Sequence, residues 1–201
     1  MEDNTLSISG KTWKMPLRVL SLITFFVAAY SLVQSVLVLI QDYERQDLSM
    51  LVVIIFLLVT PFAFAAALFF AYSIHRMAGG EKASRQIILG YAMLVLAAVD
   101  NLIYVSIHHE GDSVSFYLLG GIELVCFIIF FLYYQDLGNR AMALCAGILL
   151  VACTVLELEE AIRYFVSISY YDFTGYYFSQ TLLDTLLAVE SLLFVFGLKK
   201  R

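Results

Sequence analysis

Charge is scarce in this sequence, and that scarcity decides its class. Only 14% of the 201 residues are Asp, Glu, Lys or Arg, whereas soluble globular chains carry about 25%. A water-soluble domain is excluded, because too few charged groups exist to cover its surface. Histidine occurs three times, as His75, His108 and His109 near the ends of apolar runs, so haem ligation inside a helical bundle has no axial candidate. Cys126, Cys145 and Cys153 form no CxxC pair of the metal-binding kind, and cysteines within apolar runs serve as small hydrophobes. GxSxG, HExxH and phosphate-loop motifs are absent, as are internal repeats. The sequence implies no cofactor.

Hydrocarbon takes the place of charge. Hydrophobic residues make up 62% of the chain, roughly 125 positions, enough for six membrane spans of about 20 residues each. The mean hydropathy is +0.87. Apolar runs bounded by charge clusters lie at 17–40, 50–74, 86–107, 114–135, 141–165 and 177–198. They are continuous, which excludes a β-barrel, whose strands alternate apolar and polar over about 10 residues. The expected fold is an all-α integral membrane protein: one transmembrane domain over 1–201, six helices in a bundle. The connections are too short for a soluble catalytic or DNA-binding module of about 50–200 residues.

Basic residues resist translocation and collect on the cytoplasmic side. With the N-terminus inside, ten of the twelve fall in cytoplasmic segments: Lys11, Lys14, Arg18, Arg76, Lys82, Arg85, Arg140, Lys199, Lys200 and Arg201. Arg45 and Arg163 fall outside. Six spans then place both termini in the cytoplasm of a multi-pass cell-membrane protein. Tyr170, Tyr171, Tyr176 and Tyr177 fit an interfacial aromatic belt around the last outer loop. The first run, preceded by basic residues and containing Val27-Ala28-Ala29, shares features with a signal peptide. Its continuation from Leu32 to Ile40 makes it a full span instead. The basic ends suit anionic lipid headgroups and are too small for nucleic acid.

The informative minority is acidic. Asp100, Glu123, Glu157, Glu159, Glu160, Asp184 and Glu190 all lie within the last four runs. An ionisable residue at a helix centre costs about 2.5–3.5 kcal/mol on insertion scales, so it faces protein, finds a partner or goes neutral. At 1.5 Å rise per residue, Asp100, Glu123, Glu157 and Asp184 stand about 5, 2, 6 and 6 Å outward of their span midpoints. Four helices each bring one carboxyl to a similar depth, and in a bundle these could meet in one outward-facing cavity.

Residues three and four apart share a helix face. Asp100, Tyr104 and His108 form one stripe, Cys153, Glu157, Glu160 and Tyr164 another, and Gln180, Asp184 and Ser191 a third. Each resembles one wall of a polar vestibule. Arg163 follows Glu159 by four residues in the favoured acid-first order, with neutralisation of Glu160 or Glu157 as the alternative. Glu190 lies on a different face from Asp184, leaving three readings open: a protonated acid, a contact with another helix, or a subunit interface.

Candidate ligand-binding residues are therefore Asp100, Tyr104, Glu123, Glu157, Glu160, Arg163, Tyr164, Gln180, Asp184 and Glu190. They point to a cation, proton or amine-bearing ligand, in a sensor or a transport component. The competing reading is a structural or partner-binding subunit whose acids only hydrogen-bond between helices. Enzyme activity is disfavoured, since no nucleophile stands beside a base. Glu159-Glu160-Ala161-Ile162-Arg163 reads EExxR, one residue short of the EExxxR of membrane-embedded CAAX-type proteases, and no histidine follows His109. Carriers commonly bind substrate where Gly or Pro breaks a helix, for which Gly120-Gly121 is the candidate here. Ala63, Ala67 and Ala71 form a small-residue stripe on the second span, suited to packing within the bundle or to a homodimer or partner membrane protein through the first two helices.

Overall fold

The computed structural model describes residues 7–8, 11–44, 50–81, 83–107, 113–167 and 173–199. Six helices follow one another: α1 (Lys11–Glu44), α2 (Met50–Ala78), α3 (Ser84–Ile107), α4 (Ser113–Tyr134), α5 (Arg140–Ser167) and α6 (Phe173–Gly197). Each carries one of the six apolar runs. The shortest, α4, has 22 residues, which at 1.5 Å per residue is about 33 Å, enough for a hydrocarbon core about 30 Å thick. Four described segments are long and apolar enough to cross a membrane: Thr12–Leu37, Tyr117–Tyr134, Arg140–Arg163 and Phe178–Gly197. The corresponding described parts of α2 and α3 are shorter, Phe62–Ala78 and Ser84–Val99.

Packing runs in sequence order, each helix against the next, and α1 returns to pack on α6. The bundle is thus a closed ring. Its outer face is apolar: on α1, Leu22, Phe26, Val33, Leu37 and Ile40 are exposed at helical spacing. A soluble protein rarely exposes such a stripe; lipid accepts it.

Inside one end of the ring, aromatic residues fill the space. Tyr91 of α3 is fully buried and meets Phe70 of α2 at 4.7 Å, Phe130 of α4 at 5.5 Å and Tyr134 of α4 at 5.0 Å between ring centroids. Tyr134 in turn meets Phe194 of α6 at 5.3 Å. The chain ends join at the same end of α6. Ser7–Ile8 (β1) pairs antiparallel with Leu198–Lys199 (β2), and Trp13 stacks on Phe196 at 6.2 Å.

Helix α1 starts at Lys11, ahead of the apolar run, and contains Pro16. The missing N–H of Pro16 leaves the Thr12 carbonyl unpaired, which is tolerable because Thr12 is exposed. Helix α5 starts where Asn139 Oδ1 accepts from the Ala141 amide at 3.0 Å, an N-cap that satisfies a free donor. Helix α4 ends in a turn with Asp136 at φ 62°.

Small residues set the closest helix approaches. A Cβ on Gly147 of α5 would stand 2.8 Å from Leu192 Cδ1 and 3.4 Å from Leu192 Cα on α6. Ala67 and Ala71 are buried inside the chain, so this part of the alanine stripe serves intramolecular packing. Gly147→Leu should therefore force α5 and α6 apart at a cost of about 1–3 kcal/mol. Thermal melting of the purified protein in detergent should fall by about 2–4 °C for each kcal/mol lost, and an unchanged melt would show that the two helices are not in contact there.

Candidate functional site

Helices α4, α5 and α6 each turn one acid toward the others. Glu123, Glu157 and Asp184 are half-buried, and their carboxyls stand close enough for each pair to interact electrostatically. Below them on α4 and α5 lie the thiols of Cys126, three residues after Glu123, and Cys153, four residues before Glu157. Cys126 Sγ donates to the Ala146 carbonyl at 3.4 Å, tying α4 to α5. The Thr185 hydroxyl lies 3.1 Å from the Thr154 carbonyl, tying α6 to α5. These bonds link the helices at the level of the acids.

No basic residue is buried among the described residues. Arg163 is exposed and donates to Glu159 at 2.6 Å, with side-chain exposures of 78% and 56%. The i, i+4 pair forms as its spacing favours, on the outer surface. Glu160 is exposed as well. Gln180, one turn before Asp184, is half-buried. The side chains of Asp100, Tyr104 and Tyr164 lie outside the described residues, as do His108, His109, Tyr170, Tyr171 and Arg45. The backbone of Asp100 belongs to α3 two residues before Leu102, whose Cδ2 would stand 2.9 Å from a Cβ on Gly120, one turn before Glu123.

Two features narrow the chemistry. Helix α4 runs unbroken through Gly120-Gly121; Gly120 admits the Leu102 side chain, while Gly121 has nothing within 4 Å of its Cβ position. Among the described residues, no three of His, Cys, Asp and Glu are grouped to hold a metal ion.

Glu190 stands apart from this group. It is fully buried, and the Thr24 hydroxyl of α1 donates to its Oε1 at 2.9 Å, so it joins helices within the chain. Sequence reasoning identified Glu190 and missed Thr24, Tyr91 and Tyr134 near it, while Ser191, read as part of the Asp184 stripe, is fully buried next to Tyr91. The adjacent Glu190-Ser191 pair was the one available signal, because a contact across the ring depends on helix rotation.

Compared with protein families, curated proteins and solved structures, the chain shows no match. Its class rests on its own features: a helical protein, with four described helices able to cross a membrane and a lipid-suited apolar exterior.

Proposed function

We propose that this protein is a six-span cell-membrane protein with both termini in the cytoplasm, and that it binds an amine-bearing cation in an outward-facing acidic site. The approach of Glu123, Glu157 and Asp184 on three adjacent helices, with no buried basic partner among the described residues, carries this reading. Three acids in mutual reach repel one another when ionised, and a positively charged ligand relieves that repulsion. An ammonium group with its hydrogen-bond donors can serve several carboxyls at once. Asp100, at a matching depth on α3, is the fourth acid of the proposed site. The antiparallel contact of the chain's two ends agrees with an even number of spans.

Sensing is favoured over carriage, because carriers commonly use broken helices at the binding site and α4 is continuous there. A sensor needs only a ligand that binds one packing of the helices better than another. Such a protein, lacking an effector domain within this sequence, signals through a partner.

The test reconstitutes the full chain in liposomes and measures binding and uptake of radiolabelled methylammonium and tetraethylammonium. Saturable binding without uptake supports the sensor. Uptake lost in both Asp100→Asn and Asp184→Asn would instead assign a carrier. Absence of both binding and uptake would overturn the acidic site as a cation receptor.

A further inference from the structure

Basic residues from opposite extremes of the sequence meet at one end of the ring. Lys199 lies in β2 opposite Ser7 of β1, and Lys11 opens α1 four residues after Ser7. Lys14 and Arg18 follow Lys11 at spacings of three and four, which share a helix face. Arg140, the first residue of α5, joins them through α6. Its Nη2 donates to the Phe196 carbonyl at 3.4 Å, and the Phe196 ring carries Trp13 of α1 stacked at 6.2 Å. Two further basic residues, Lys200 and Arg201, follow β2 directly in the sequence.

The protein supplies little counter-charge for these groups. Asp136, four residues before Arg140, is the one acid within four residues of any of the five. Arg18 and Arg140 are exposed, and among the described residues Lys14 and Arg18 form no ion pair. The α2–α3 turn differs, since there Arg76 is paired with Glu81. Like charges gathered in one place repel one another, and a bound anion relieves that repulsion. Depth selects the anion. Trp13 is the chain's single tryptophan, half-buried against Phe196, and tryptophan in a membrane protein favours the level of the lipid headgroups. Lys14 follows it directly, so the positive charge stands where phospholipid phosphates lie. A soluble phosphate ion gains nothing from that depth.

We propose that this basic corner, where α1, α5 and β2 come together, binds the headgroup of one anionic phospholipid. The two basic ends, separate in the sequence, become one site through the β1–β2 pairing and the Trp13–Phe196 stack, and a single headgroup then ties α1, α5 and α6 together. The inference rests on the proposed topology only in making that leaflet the cytoplasmic one, and it is independent of the acidic site.

The experiment titrates the purified full chain, in a neutral detergent, with phosphatidylglycerol, with phosphatidylcholine of the same chain length, and with inorganic phosphate. Melting temperature is followed, and bound lipid is counted by native mass spectrometry. Phosphatidylglycerol should raise the melting temperature saturably and bind as one lipid per chain, whereas phosphatidylcholine and phosphate should do neither. One basic residue near an anionic lipid surface is worth about fivefold in affinity, so Lys14→Gln and Lys199→Gln should each weaken phosphatidylglycerol binding by about that factor. Arg76→Gln removes a charge already paired with Glu81 and should leave binding unchanged. A chain lacking residues 1–9 gives the sharper arm, because it loses β1 together with Glu2 and Asp3. General charge attraction would strengthen on removal of two acids; a site built by the strand pairing weakens. Equal responses to phosphatidylglycerol and phosphatidylcholine, an equal response to phosphate, or tighter binding by the shortened chain would overturn the site. A loss in Lys14→Gln with none in Lys199→Gln would overturn it too, leaving the charge of α1 alone. Should the shortened chain fail to fold, the point variants and the wild-type lipid count decide the outcome.

Discussion

Tyr91→Ala should destabilise the protein by about 3 kcal/mol, at the low end of the range for truncating a buried aromatic. Two terms contribute to such losses in water: the transfer of apolar surface and the cavity left behind. In a bilayer the first is weak, because lipid tails are as apolar as the core. The second remains, since a void leaves its lining without dispersion partners. Tyr91 touches rings from α2 and α4 within 4.7–5.5 Å, so one truncation unpacks three helices. The expected drop in melting temperature is about 6–12 °C, taking about 2–4 °C per kcal/mol for a chain of this length. Tyr91→Phe keeps the ring and its packing, so it should lose much less than Tyr91→Ala. A similar drop for both variants would assign the effect to the hydroxyl and not to packing.

Residue counting predicts a level along each helix and leaves its rotation open. Apolar runs located all six helices, because hydrophobicity over about 20 residues is a signal that needs no tertiary context. Counting residues at a fixed rise predicts a shared level for Glu123, Glu157 and Asp184, and the three carboxyls do lie within electrostatic reach of one another. Helix ends were less legible: α1 begins six residues before its apolar run, since helical backbone continues into polar flanks. The β1–β2 pairing was invisible, as two residues cannot display a period of two. Arg163 shows the difference most clearly. Its spacing fitted both a local pair with Glu159 and a role among the inner acids. Only the direction of that face of α5, outward, separates the two. Glu190 likewise had three readings until Thr24 of α1 was found against it.

Neutralising one acid of the proposed cation site should have the largest effect on ligand affinity. Asp184→Asn or Glu123→Gln is expected to weaken binding of methylammonium by about 100-fold, because removing one partner of a desolvated charge pair costs about 2–5 kcal/mol. Both exchanges preserve shape and remove charge, and both residues are half-buried, so water screens them only in part. Arg163→Gln supplies the contrast. Its pair with Glu159 is exposed on both sides, and exposed pairs contribute about 0–1 kcal/mol, so affinity should change less than about fivefold. The double variant Glu123→Gln, Asp184→Asn carries the sharper test. Groups that share one ligand are coupled, and their effects do not add. If both acids contact the same ammonium, the double variant should lose less than the product of the two single losses. Equilibrium binding to the full chain in detergent measures all four proteins. Losses that multiply would place the two acids on separate ligands, and equal small losses in Asp184→Asn and Arg163→Gln would reduce the inner acids to general surface charge.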